Sequence, residues 1–329
     1  MALKIINPGL FTTVQDLGRY GYESYGFTPA GAMDYESFYL ANALLGNDFD
    51  CAVLEMTLYG VTFEVLHSTS MATSGADMEL TINDQPFDTG AAVDLVKGDI
   101  VKFGGVAKGA RTYAAFSGGL DLPKELGSYA THTRSNMGGF KGRVLKAEDI
   151  LPVKEKTVEH HFSKITKELA EGNEIRFIPG QQHDRFDADN KKVFTTSEYT
   201  VTKDSDRMGC RLDGTAVEAA DDNDILSEPT QFGSIQVPKN GQPIILLADR
   251  QTAGGYKKIG TVAKVDLPKI AQKKPGETVT FKEISVEEAA KLYTDSLQAL
   301  TDGTYIETSV EFGQARRRDA LSIAQLMEG

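Results

Sequence analysis

The sequence predicts a mainly β protein: two β-barrels in tandem, with a helical C-terminal tail. Three observations carry that expectation. Short anchors recur in the same order in both halves, apolar segments are short and bounded by turn-forming residues, and helical periodicity is sparse.

The anchors are Ile5-Ile6-Asn7-Pro8-Gly9 with Phe177-Ile178-Pro179-Gly180, Asp16-x-x-Arg19-x-Gly21 with Asp204-x-x-Arg207-x-Gly209, and Glu55-x-Thr57-x-Tyr59-Gly60 with Glu228-x-Thr230-x-Phe232-Gly233. Ala76-Asp77 with Ala248-Asp249 follows, then Gly98-Asp99-x-Val101-x-Phe103 with Gly276-Glu277-x-Val279-x-Phe281. Their separations stay between 171 and 188 residues, a band too narrow for an accidental series. The variation within it places an insertion in the second copy at residues 181–203 and one in the first at residues 34–46.

Taken in order, residues 34–46 predict a helix. Asp34 caps it, Phe38, Ala41 and Leu45 form its apolar face, and Gly46 stops it. Strands are expected at 61–66, 78–82, 112–116, 175–178 and 244–247. Lys97-Gly98 and Pro275-Gly276 are turns that feed strands through Val101/Phe103 and Val279/Phe281. Short helices are expected at 164–170 and 267–272, and a longer one at 286–300 that opens with the capping box Ser285-x-x-Glu288. The expected domains are a first barrel over 1–155, a linker over 156–172, a second barrel over 173–284 and a tail over 285–329.

Composition narrows the function classes. The chain has 329 residues, 40% hydrophobic and 25% charged, enough for two cores. No stretch approaches the roughly 20 apolar residues of a membrane span. The N-terminus turns polar within eight residues, which argues against a secretory signal. The two cysteines, Cys51 and Cys210, suggest neither a metal cluster nor a disulfide framework, so a cytoplasmic setting is expected. A net charge of −12 argues against nucleic acid as a partner. No histidine has metal-ligand spacing, and no P-loop, dinucleotide fingerprint or nucleophile elbow occurs.

Candidate chemistry therefore rests on segments dense in Arg, Asp, Gln and Gly. In the richest, Gln236 precedes an apolar strand that ends in Asp249-Arg250-Gln251-Thr252 and then Gly254-Gly255-Tyr256. Arg250 offers a planar fork for a carboxylate, and paired glycines allow close backbone approach; the alternative is that Asp249 and Arg250 form a structural pair. A second segment holds Asp16 and Arg19, followed by Asp34. Because Asp204 and Arg207 recur in the other copy, this pattern favours a scaffold role, which Arg211 is expected to share. The third, Arg134-Ser-Asn136-Met-Gly138-Gly139, has no counterpart in the second copy, so Arg134 and Asn136 are expected to contact an amide or a carboxylate.

These segments resemble the biotin-dependent carboxyltransferase-like family, also called allophanate hydrolase subunit 2. The resemblance runs from Pro8 to Phe281 through residues 13–21 (TVQDLGRYG), 31–34 (GAMD), 134–139 (RSNMGG), 205–209 (SDRMG), 235–238 (IQVP), 248–252 (ADRQT) and 254–256 (GGY). It departs from the family pattern at Glu148-Asp149, where Gly-Asp is usual, and at Ala253, where a second Thr is usual. The resemblance implies a pair of cyclophilin-like β-barrels. It also implies work on a small, unreactive amide. One member type is the C subunit of an ATP-dependent 5-oxoprolinase. It acts with a subunit 1-like, kinase-inhibitor-like partner (the B subunit) and a lactam-opening A subunit to convert 5-oxoproline to glutamate. Another member type moves a carboxyl group from carboxybiotin to urea, and a third antagonises a kinase inhibitor without catalysis. With no biotinyl or ATP-grasp domain in this sequence, the first is the expected function. On that reading ATP is the cofactor, bound in a partner subunit, with no metal, and biotin belongs only to the carboxyltransferase alternative. Arg134, Asp249 and Arg250 are the expected catalytic residues. Asn136, Gly138, Gly139, Gln236, Gln251, Thr252, Gly254, Gly255 and Tyr256 are expected to bind substrate.

Overall fold

The computed structural model describes residues 1–155, 163–219 and 225–308. The chain divides into two compact units. The first comprises Met1–Gly18, Tyr35–Leu169 and the chain from Leu300 onward; the second comprises Arg19–Asp34 and Ala170–Ala299.

The first unit is built on a nine-stranded sheet. Its long strands Thr69–Ile82 and Ile100–Phe116 pair antiparallel along most of their length, from Met71 opposite Phe116 to Ile82 opposite Val101. The bulges between Gly75 and Leu80 follow from the Gly75 backbone, whose φ of +99° leaves no room for a Cβ against the Arg111 carbonyl. Alternation of residues along these strands sends Met71, Met78, Leu80, Phe103 and Phe116 into one core with Leu3, Leu54 and Phe63. Helix α1 (Tyr35–Ala43) packs on the two long strands. Phe38, Ala41 and Leu45 are all buried, and Gly46 ends the helical segment at φ +58°.

The second unit is a closed seven-stranded barrel. Around it run Glu174–Pro179, Lys257–Val262, Ser234–Val237, Ile244–Leu246, Gly209–Gly214, Tyr199–Val201 and Thr278–Glu283, the last closing in parallel onto the first. Its core stacks Phe194 on Phe281 with ring centroids 4.3 Å apart, and Phe177 meets Phe194 edge-on at 5.1 Å. Phe194 arrives on α2 (Ala188–Thr196), whose N-cap Asp187 accepts the Asn190 N–H. The polar stretch 181–203 thus contains a helix that its charge-rich sequence conceals, because a single buried aromatic anchors it.

Some elements differ from expectation. No helix forms at 164–170. Ser163–Ile165 is instead a strand, paired with Ile306–Thr308. The strand pairing satisfies the backbone, whereas a short, poorly patterned helix makes too few internal bonds to offset its nucleation cost. Helices α3 (Leu267–Ala271) and α4 (Val286–Thr301) form where expected, and Ser285 Oγ accepts the Glu288 N–H at 3.1 Å. The expected linker lies partly, and the end of the expected tail wholly, outside the described residues.

Segment Arg19–Asp34 precedes the first unit's main body in sequence yet clusters with the barrel. Side-chain hydrogen bonds help to fasten it there. Thr28 Oγ1 donates to the Arg250 carbonyl, Arg207 Nη2 donates to the Gly31 carbonyl, and Gln272 Nε2 donates to Asp34 at 2.8 Å.

Candidate functional site

In the barrel unit, the Ile244–Leu246 strand runs out into a turn. The Asp249 N–H bonds the Arg207 carbonyl at 2.8 Å, and the Arg250 N–H folds back on the Leu247 carbonyl at 3.2 Å. The Asp249 carboxylate is taken bidentately by Arg207, with Nε at 3.0 Å and Nη2 at 2.9 Å. Asp249 therefore pairs with Arg207 and not with its neighbour Arg250, and both members of the pair are buried. Such a bidentate pair sets the geometry of the turn.

Arg250 is only 7% exposed. Its side chain donates from Nε to the Thr230 carbonyl at a long 3.5 Å, and no carboxylate among the described residues pairs with it. Burial pulls its pKa below the ordinary arginine range, while Tyr20 and Glu23 act on it through space in the opposite sense.

The chain after Arg250 returns as a short strand, Ala253–Gly254, paired with Glu228–Pro229. Thr230 locks this return: its N–H bonds the Thr252 carbonyl and its hydroxyl bonds the Gln251 carbonyl. At Gly254 a Cβ would lie 2.5 Å from Gln236 Nε2, so any side chain there would displace that amide. Gln236 is 1% exposed; its Oε1 accepts from Gln251, and its Nε2 has no acceptor among the described residues. Gly255 offers its carbonyl to the Ile225 N–H, and Tyr256 is exposed.

Three residues of this cluster, Lys258, Glu228 and Gln182, were not singled out from the sequence as chemical groups. Lys258 stands across the sheet from Gln236 and is 2% exposed. Its Nζ donates to Glu228 at 3.0 Å, and Gln182 Nε2 donates to the same carboxylate oxygen at 2.9 Å. The Lys258 bond, aided by Gln182, holds the Glu228 carboxyl below its usual range. The available signals were a lysine inside the apolar run Lys258-Ile-Gly-Thr-Val and the repeat anchor at Glu228.

In the first unit, residues Thr133–Ser135 form a single helical turn, closed by a bridge between His132 and Met137. Asn136 completes it at φ +50°. The Gly138 N–H is spent on Glu125 Oε2 and the Gly139 N–H on the Tyr129 carbonyl, so these glycines shape the loop. Gly139 and Gly142 admit no side chain: a Cβ would lie 1.9 Å from Thr131 Oγ1 and 2.1 Å from the Asn136 carbonyl oxygen, respectively. Arg134 and Asn136 are the members of this loop exposed to solvent among those expected to bind. Asp16 supports the loop from below, accepting from Ser128 Oγ, the Tyr129 N–H and the Gly18 N–H. In the barrel unit the matching i+2 bond is donated by the Met208 N–H to the Asp206 carboxylate, while Asp204 is exposed. The scaffold role thus falls two residues later than the anchor alignment implies. Arg19, Arg207 and Asp34 are buried in the barrel unit, and Arg211 is exposed there.

The Arg134 loop and the Arg250 turn belong to different units. Among the described residues, no group of three or more His, Cys, Asp or Glu is placed to hold a metal ion. No described helix is long and apolar enough to cross a membrane.

Residues 25–283 match the family model of the carboxyltransferase domain, subdomain A and B. The chain is 36% identical to the C subunit of the Escherichia coli K12 5-oxoprolinase, over 89% of this chain and 94% of that protein. It is 35% identical to the corresponding C subunit from Haemophilus influenzae, over 88% and 96%. The crystal structure of the K. lactis urea amidolyase superposes with a TM-score of 0.85 at 29% identity, covering 94% of this chain but 20% of that one.

Proposed function

This chain belongs to the carboxyltransferase domain family, subdomains A and B, and is homologous to the C subunits of 5-oxoprolinases; on that premise we propose that it is the C component of an ATP-dependent enzyme opening 5-oxoproline to glutamate. The observation that carries this reading is end-to-end correspondence. The 5-oxoprolinase relatives are matched over nearly their whole length, whereas the urea amidolyase chain is five times longer than the stretch matched.

On this reading the complex is cytoplasmic. It holds a subunit 1-like partner (the B component) and a lactam-opening A component, and ATP binds in a partner subunit. Arg250 is the group of this chain that meets the substrate's negative charge, and stabilising such charge in a water-poor setting is where a fixed cation contributes most. Asp249 acts through Arg207, holding the turn that presents Arg250. Gln236, Gln251, Thr252 and the Gly254–Gly255 backbone form the floor of that site. Arg134 and Asn136 are a separate polar contact point carried by the first unit.

The test is reconstitution. The chain, co-purified with its two partners and supplied with ATP and 5-oxoproline, is expected to release glutamate stoichiometrically with ADP. Absence of glutamate from an intact complex sinks the reading, and carboxybiotin-dependent labelling of urea replaces it with carboxyl transfer.

A further inference from the structure

Two buried cations of the barrel unit have carboxylate partners: Arg207 has Asp249 and Lys258 has Glu228. Arg250 differs from these two: it is as deeply buried as Arg207, no described carboxylate forms an ion pair with it, and Glu23 acts on it only through space. Taking a guanidinium out of water without a counter-ion is costly, so such a group is kept where a ligand completes it.

A second donor lies in the same cluster. Gln236 Nε2 is buried with no acceptor among the described residues, while the other end of its amide is held by Gln251. Thr230 lies near both donors: its carbonyl receives Arg250 Nε, and its methyl and Gln236 Nε2 both face Gly254. Of the carboxylates nearby, Glu228 is held by Lys258 and Gln182 and Asp249 by Arg207, while Glu23 reaches Arg250 only through space. The cluster is therefore complementary to a ligand that brings acceptors and negative charge.

We propose that Arg250 and Gln236 receive a small amide that bears a free carboxylate, Arg250 pairing with the carboxylate and Gln236 Nε2 donating to the amide carbonyl. This rests on the chain being a component of a lactam-opening enzyme and adds the recognition rule for its substrate. A neutral amide such as urea leaves the Arg250 charge unmatched, so the site selects anionic over neutral amides. A bidentate charge-assisted pair supports a discrimination of about tenfold or more.

The experiment titrates the full chain, alone and within the co-purified complex, with 5-oxoproline and with its neutral analogue 2-pyrrolidinone by calorimetry. The wild type is expected to bind 5-oxoproline at least about tenfold more tightly. Arg250→Gln is expected to erase that preference without changing 2-pyrrolidinone binding, and Gln236→Leu to weaken both ligands alike. Equal affinities in the wild type, a preference that survives Arg250→Gln, or no binding of either ligand overturns the proposal. The wild-type comparison requires no variant, so the test stands even if Arg250→Gln fails to fold. The two levels separate cleanly. If the complex releases glutamate and Arg250→Gln leaves the KM for 5-oxoproline unchanged, the recognition rule falls and the enzyme reading stands. If the wild-type chain prefers the carboxylate but the complex releases no glutamate, the enzyme reading falls and the carboxylate receptor stands.

Discussion

Arg207 and Arg250 reach the same turn with opposite energetics. Arg207 neutralises the buried Asp249 and also bonds the Gly31 carbonyl, so its removal strands a carboxylate that is 6% exposed. Arg207→Ala is expected to cost about 3–5 kcal/mol, measured as a lower urea midpoint with an unchanged m-value. Arg250 is held by one long hydrogen bond and sits in a site that disfavours its charge. Arg250→Gln is therefore expected to leave stability unchanged or raise it, while turnover of the reconstituted complex falls. A residue whose loss stabilises the protein and removes activity is serving function at the expense of the fold. Arg250 was legible in the sequence, because an Asp-Arg-Gln-Thr run after an apolar strand is a rare concentration of polar groups. Its isolation was not, since the partner of Asp249 lies 42 residues away. Lys258 was missed for a similar reason: its carboxylate, Glu228, is 30 residues distant.

Glycines and caps carry the predictions that belong to single elements. Gly139 and Gly276 both hold left-handed backbone, at φ +54° and +91°. An added methyl at Gly276 meets nothing within 4 Å, whereas at Gly139 it collides with Thr131 Oγ1. Gly276→Ala is expected to cost about 1–2 kcal/mol from conformation alone, and Gly139→Ala distinctly more. Thermal melts of the two variants decide this, and equal losses would mean that the Arg134 loop yields easily. At the start of α4, Ser285→Ala removes the acceptor of the Glu288 N–H and is expected to cost about 0.5–2 kcal/mol, read from the same melts. That cap was visible as a four-residue pattern. The absence of a helix at 164–170 was not, because the competing hydrogen bonds come from Ile306–Thr308, far along the chain.

Across the whole molecule, two buried carboxylates with partly exposed arginine partners shape the acid limb of stability, one in each unit. Burial alone would raise Asp266, but Arg176, a backbone N–H and Lys269 together hold it below the ordinary aspartate value of 3.8. Burial likewise opposes Asp149, and Arg143 with the Lys146 N–H lowers it. Both carboxyls are thus depressed in the folded state, and below 3.8 the unfolded chain binds more protons than the folded one. Their stabilisation is fully present above about pH 4 and is lost as pH falls through the folded values, so the urea midpoint should fall on acidification below about 4. Arg176→Met should flatten part of that limb; an unchanged slope would show that Asp266 does not contribute to it. The sequence by itself determined the β-rich architecture, the recurrence of short anchors in its two halves and the segments that carry polar chemistry. Those features are written in local periodicity, turn residues and self-similarity, which need no knowledge of the other half of the chain. Tertiary structure alone decided that residues 19–34 cluster with the barrel, that Asp249 serves Arg207, and that no described carboxylate balances Arg250. Each of those outcomes is a choice among distant partners, made by burial and hydrogen-bond geometry once the strands have closed.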